Sequence, residues 1–374
     1  MSPPRPEPRS RLYALPGVLL SIALFEVVTR LLLAQPTVWA ALTELGDTGR
    51  EIAAVQRLRA LDPDANDFSE RYPVAWHPRY GWTSRPGRFV EDGHTIMVSA
   101  QGLRADRTFS EQPAPDHTRL LFFGDSFGFG TDVGDEQTYV AALDRPGLEL
   151  LNLSVVGHGH DQMLLRLREE GLPLHPDLVV LVFVSCDVPR NAQSFTTWAK
   201  PGFELEDGRL QLHGVPMPTV AERLAAFDGR PRGLDLLRLL AERWGQPAEA
   251  ERANQLTLAL LEAFTEEVHA AGAVPVVLHA PILGEWEVRP DDPRFDAFAA
   301  RGLVGRFCRE TRHAACLDAF AAFHRAHLEG VPLQTGTHWS PEGHQIVAST
   351  LAGWLDKRGM GSDETSSDNL RSPR

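Results

Sequence analysis

The chain has 374 residues, 43% hydrophobic and 23% charged, which excludes a disordered or collagen-like protein and leaves room for one large domain or two small ones. A formal net charge of −13 argues against sequence-independent nucleic-acid binding, which needs a cationic surface for the phosphates. Cys186, Cys308 and Cys316 are too few for a disulfide scaffold and match no zinc spacing, and a mean hydropathy of −0.21 excludes a polytopic membrane protein but allows one span.

Residues 1–34 predict that span. Arg5, Arg9 and Arg11 precede a largely apolar stretch, Leu12–Ala34. It is long enough to cross a hydrocarbon core of about 30 Å at about 1.5 Å per residue. Glu26 and Arg30 lie four apart within it, so on a helix they share a face and can pair. Arginines before the stretch and Glu44 and Asp47 after it orient the N-terminus inward and the body outward. Leu32-Leu33-Ala34-Gln35 is a poor signal-peptidase site and a buried soluble helix rarely begins with a basic tail, which favours a signal anchor over a cleaved signal peptide or a soluble core helix. The expected location is the cell membrane, single-pass, with an extracytoplasmic body.

Residues 35–71 read as a stalk. Residues 72–358 read as one domain, opening with a lead-in that carries β-like pieces at Arg88–Val90 and Thr95–Val98. Short apolar runs at Leu120–Phe123, Leu148–Leu153, Leu178–Val184, Val274–Leu278 and Ala314–Leu317 predict five strands. The run LVVLVFV has the continuous β-branched character of a strand buried on both faces. Helical periodicity lies between them, in Leu256, Leu260, Leu261, Phe264 and Val268, and again from Ile346 to Trp354. The expectation is a three-layer α/β sandwich with a parallel five-stranded sheet. A proline-rich insertion at 190–250 interrupts the alternation, and a Ser/Asp-rich tail at 359–374 reads as disordered.

In such a sheet, ligands bind beyond the carboxyl ends of the strands. Gly124-Asp125-Ser126-Phe127-Gly128 follows the first strand. Asn152-Leu153-Ser154-Val155-Val156-Gly157-His158 follows the second, and Ser185-Cys186-Asp187 the third. Thr337-His338-Trp339-Ser340-Pro341-Glu342-Gly343-His344 precedes the last helix. These four blocks in this order resemble the SGNH (GDSL-type) hydrolase family. The flanks resemble its membrane-anchored bacterial branch, through Ser99–Arg104 and the PDLVVL strand. The resemblance covers roughly 72–355 and implies an SGNH-hydrolase or flavodoxin-like sheet.

The resemblance makes Ser126 the nucleophile and His338 the general base. It places the oxyanion hole at the Ser126 and Gly157 N–H groups, with Cys186 where the family has an asparagine. Cys186 is a weaker donor than an amide. The family's acid, two or three residues before the histidine, is replaced by Gly336 or Thr335. His338 is left to a main-chain carbonyl or to a carboxylate from elsewhere, Asp187 by its strand-end position or Glu342 nearby. Asp125 reads as an accessory residue that shapes the turn. His158, His160 and Asp161 read as cleft-lining or helix-capping residues rather than metal ligands. No metal or cofactor is expected, and Cys308 and Cys316 can pair outside the cytoplasm.

The resemblance implies an extracytoplasmic serine esterase or acyl hydrolase. Its partners would be an acyl ester or an O-acylated glycan, such as O-acetyl esters of envelope polysaccharide, and the membrane through the first helix, with no nucleic acid. O-acyl transfer is the neighbouring activity. The alternative is a catalytically degenerate domain that binds carbohydrate or organises an assembly.

Overall fold

The computed structural model describes residues 9–59, 73–91, 93–196, 198–288 and 299–360. The first helix, α1 (Arg9–Leu33), contains the segment Leu15–Leu33, which is long and apolar enough to cross a membrane and is largely exposed. Helices α2 (Pro36–Leu42) and α3 (Asp47–Leu58) follow. Residues 35–59 are therefore no simple stalk, and the rest of the expected stalk, 60–71, lies outside the described residues. Ile52 and Val55 of α3 are fully buried, in a cluster with Leu33, Phe227 and Leu239. Their helical spacing gives α3 an apolar face that needs cover.

Two antiparallel hairpins form the lead-in. They pair β1 (Val74–His77) with β2 (Gly81–Ser84), and β3 (Gly87–Glu91) with β4 (His94–Val98). Trp82, Ile96 and Val98 pack with Phe129, Val155 and Val156 of the main domain.

The main domain runs through β5 (Thr118–Phe123), α4 (Ser126–Phe129), β6 (Leu148–Asn152), α5 (His160–Arg166), β7 (Leu178–Phe183) and α6 (Asp187–Arg190). The hairpin β8 (Gly202–Glu206) and β9 (Arg209–His213) comes next, then α7 (Val220–Gly229) and the long α8 (Arg232–Ala270). It closes with β10 (Val274–His279), α9 (Ala299–Glu310), β11 (Ala315–Asp318), α10 (Phe320–Leu328), the two-residue strands β12 (Gln334–Thr335) and β13 (His338–Trp339), and α11 (Pro341–Asp356).

The five expected strands form one sheet, ordered β11-β10-β7-β5-β6, with every neighbouring pair parallel. Successive strand residues point to opposite faces. Leu121, Phe123, Val179 and Leu181 meet α5, α8 and α9 on one side. Leu120, Phe122, Val180 and Val182 meet Phe323, Trp339 and α11 on the other. Every residue of β7 is buried, as a central strand covered on both faces must be. The order of winding reverses at β5, with β6 on one side and β7 on the other, and open α/β sheets bind ligands beyond the carboxyl ends of the strands at such a switch point.

The 190–250 insertion is the β8–β9 hairpin, α7 and the first half of α8. Because α8 continues unbroken to Ala270, the insertion has no boundary at 250. Its start docks on α1. The Glu26 carboxylate accepts the N–H groups of Arg232 (2.8 Å) and Gly233 (2.9 Å). Arg30 pairs with Glu26 at 2.8 Å and donates to the carbonyls of Asp228 (3.4 Å) and Arg230 (3.1 Å). Cys308 and Cys316 form a disulfide between α9 and β11, with Cα atoms 6.0 Å apart. Most of the expected disordered tail, residues 361–374, lies outside the described residues, as do 60–72.

Candidate active site

β5 ends in a tight turn that starts α4 at Ser126. Asp125 caps the turn, its Oδ1 accepting the Phe127 N–H at 2.9 Å. Gly130 closes it after one turn in a left-handed conformation, and Asp132 follows, also left-handed at φ 68°. Asp and Asn tolerate that region better than most residues. The segment therefore sends two side chains back to one point.

His338 arrives from the far end of the chain. β12 and β13 pair Thr335 with His338, leaving Gly336 and Thr337 as the turn. Trp339 next to it is fully buried and donates its indole N–H to the Pro281 carbonyl at 2.8 Å. Ser340 caps α11 by accepting the Gly343 N–H at 3.2 Å. The imidazole edge packs on the Phe127 ring, with centroids 4.8 Å apart.

These two pieces bring three side chains into line. His338 Nε2 is 2.8 Å from Ser126 Oγ, and His338 Nδ1 is 2.8 Å from Asp132 Oδ2. The same carboxylate oxygen accepts the Thr337 N–H at 3.1 Å. All of this is largely shielded from water, with Ser126 and His338 both buried.

The carboxylate facing His338 is thus neither Asp187 nor Glu342. Asp187 is fully buried at the end of β7, where Oδ1 accepts from Arg190 at 2.5 Å and Oδ2 lies 4.0 Å from His160 Nε2. Burial holds its carboxyl well above the usual carboxylate range. Glu342 is exposed on the first turn of α11. Sequence reasoning missed Asp132 because it looked for an acid just before the histidine. The available signal was an Asp shortly after a glycine that ends a one-turn helix.

The remaining candidates sort by contact. Gly157 is left-handed at φ 78°, a conformation a side chain would strain. Among the described residues, neither the Ser126 N–H nor the Gly157 N–H has a hydrogen-bond partner. The free thiol of Cys186 donates to Asp125 Oδ2 at 3.5 Å, and burial pushes it well up from its ordinary pKa. Asp125 Oδ2 also accepts from Arg190 at 2.8 Å. Asp125, Cys186 and Asp187 together have the ligand spacing of a metal site, but the Arg190 guanidinium bonds both carboxylates there.

His158 bonds the Trp82 carbonyl (3.0 Å) and His160 bonds Asn191 (3.0 Å). Burial lowers both imidazoles, His160 to about 3, so they stand neutral and structural. Asp161 pairs with Lys200, both fully buried. Arg104, from the lead-in motif, holds the Asp132 loop. It donates to the carbonyls of Phe129 (3.0 Å), Gly130 and Val133 (2.8 Å), and to Asp135 (3.1 Å).

No family model matches the chain, and no curated protein does. Solved structures do. LAE5, an alpha/beta hydrolase enzyme from a lake metagenome, is 17% identical over 66% of this chain and 97% of its own, with a TM-score of 0.41. A catalytic mutant of Axe2, an acetylxylan esterase from Geobacillus stearothermophilus, is 18% identical over 68% and 97%, with a TM-score of 0.39. An acetyl xylan esterase, AlAXEase, is 14% identical over 63% and 99%, with a TM-score of 0.39.

Proposed function

We propose that the protein is a serine esterase that cleaves acyl esters through Ser126, His338 and Asp132. The observation that carries this reading is the unbroken hydrogen-bond line from Ser126 Oγ through His338 to Asp132. A serine hydroxyl is a poor nucleophile until a base takes its proton. In the proposed reaction, Ser126 Oγ attacks the acyl carbonyl and its proton passes to His338 Nε2. Asp132 fixes the Nδ1–H tautomer and balances the imidazolium. The Ser126 and Gly157 N–H groups are the proposed oxyanion donors. The alcohol leaves with the His338 proton, and a water activated by His338 then releases the acid. An acceptor hydroxyl in place of water would give acyl transfer.

The last block carries no acid for His338, and Asp132 is proposed to supply it, which supports turnover over binding alone. O-acetyl groups on envelope polysaccharide are the proposed substrate class. That choice rests on the motif resemblance and on the proposed location outside the cytoplasm, with α1 as anchor. Two features support the location. The disulfide suits an oxidising compartment. Glu26 and Arg30 make α1 part of the folded body, unlike a segment removed after export. The test is labelling by a fluorophosphonate. The wild type should be modified on Ser126, and Ser126→Ala should not. A wild type that resists labelling while folded would remove the esterase reading.

A further inference from the structure

The start of α8 leaves one face uncovered beside the anchor. A Cβ added to Gly233 would lie 2.8 Å from the Phe25 ring, so α1 crosses α8 in close contact there. From that crossing Leu234, Leu237, Leu240 and Trp244 continue along the same face of α8 at helical spacing. They are 47–82% exposed, Trp244 the most. Outside α1, the other exposed large apolar residues among the described residues are Val90, Leu205, Leu283 and Leu328, which stand singly.

The other faces of this stretch have protein partners. Leu239 packs with Leu33, Val55 and Phe227. Asp235 pairs with Arg230 and Arg232. Glu242 accepts the Thr48 N–H and hydroxyl at the start of α3. The apolar stripe is left uncovered, with Arg238 and Arg243 exposed beside it, and it runs on from the apolar surface of α1.

Depth identifies the occupant. Glu26, which receives the first N–H groups of α8, lies seven residues before Leu33, the end of α1. That distance is about 10 Å at about 1.5 Å per residue. If α1 spans the bilayer, the first turn of α8 sits about that far below the outer apolar boundary, the depth of an interfacial helix. A carboxylate at that depth requires partners, and Glu26 has two N–H groups and Arg30. A tryptophan at the end of the stripe suits the headgroup level.

We propose that the Leu234–Trp244 face of α8 lies in the outer leaflet beside α1, as a second, interfacial membrane contact that fixes the body against the bilayer. The proposal rests on α1 being a membrane span. The experiment reconstitutes the full chain into liposomes of lipids brominated near the top of the acyl chain, and compares wild type with Trp244→Phe. Flotation and resistance to alkaline extraction first report whether α1 is inserted. With insertion established, the fluorescence difference between the two proteins isolates Trp244. Loss of most of that component in brominated lipid is expected, with its return in Leu237→Glu/Leu240→Glu, two exposed substitutions that leave the core untouched. Inserted protein whose Trp244 emission is unaffected by bromine overturns the proposal. So does a dimer crosslinked through a cysteine at position 237, which would assign the stripe to a second copy. Protein that is extracted by alkali overturns the anchor instead.

Discussion

Asp132→Asn separates the three-residue line from a plain Ser–His pair. Asparagine keeps the shape and accepts the left-handed backbone that Asp132 adopts at φ 68°, so the fold should survive. What it removes is the negative charge beside His338 Nδ1, 2.8 Å away and largely shielded from water. For unit charges near 4 Å at an effective dielectric of about 20, that charge stabilises the imidazolium by about 4 kcal/mol. At about 1.4 kcal/mol per decade the loss is about 10³ in kcat. The amide can also donate to Nδ1 and force the proton onto Nε2, where it blocks the base, which extends the loss toward about 10⁴. KM should hold, since Asp132 touches His338 and Thr337 rather than substrate. The assay is steady-state hydrolysis of a small chromogenic acetyl ester, with thermal unfolding of both proteins as the control. A variant of unchanged Tm that keeps kcat within threefold of the parent would refute the assignment.

Three further outcomes follow from the site. Gly336→Asp, which would restore an acid where relatives of the motif carry one, should lower activity: Gly336 is left-handed at φ 55°, and a Cβ there would collide with the Asp132 carboxylate. A gain in kcat for this variant would mean that Asp132 does not serve His338. Cys186→Asn should raise kcat by about tenfold, by adding an amide donor where the thiol now faces Asp125; no gain in a folded variant removes position 186 from the oxyanion corner. His344→Gln should flatten the acid side of the stability curve. Burial lowers His344 to about 3, so below about pH 6.5 the unfolded chain takes up a proton that the native chain refuses. Stability then falls by up to about 1.4 kcal/mol per pH unit as pH drops through that window, and the variant should lack that slope. Parallel Tm–pH curves for the two proteins between pH 7 and 5 would contradict this.

The sheet was legible because burial on both faces leaves a plain signature. LVVLVFV cannot be a surface strand, and glycine or polar residues stop each run at the strand's carboxyl end. Ser126 and His338 were legible as motif residues, although no periodicity could show that a separation of 212 residues closes to 2.8 Å. Asp132 was hidden because its role depends on two consecutive features of backbone, a one-turn helix and a left-handed residue, that composition does not encode. The long α8 was read as an insertion followed by a helix for a physical reason. Leu236 and Leu239 face the α1–α3 cluster, whereas Leu256 to Phe264 face the sheet, so no single apolar stripe runs its length.

The proposed nucleophile and acid share one short loop, and the proposed base comes 212 residues after the serine, beyond every strand of the sheet. In a chain made from its N-terminus, the proposed hydrolase has its serine and its carboxylate long before it has the histidine proposed to take the serine's proton. A growing chain therefore lacks the proposed base until His338 is made. On this reading any truncation before the β12–β13 turn removes the proposed base and should cost most of the turnover.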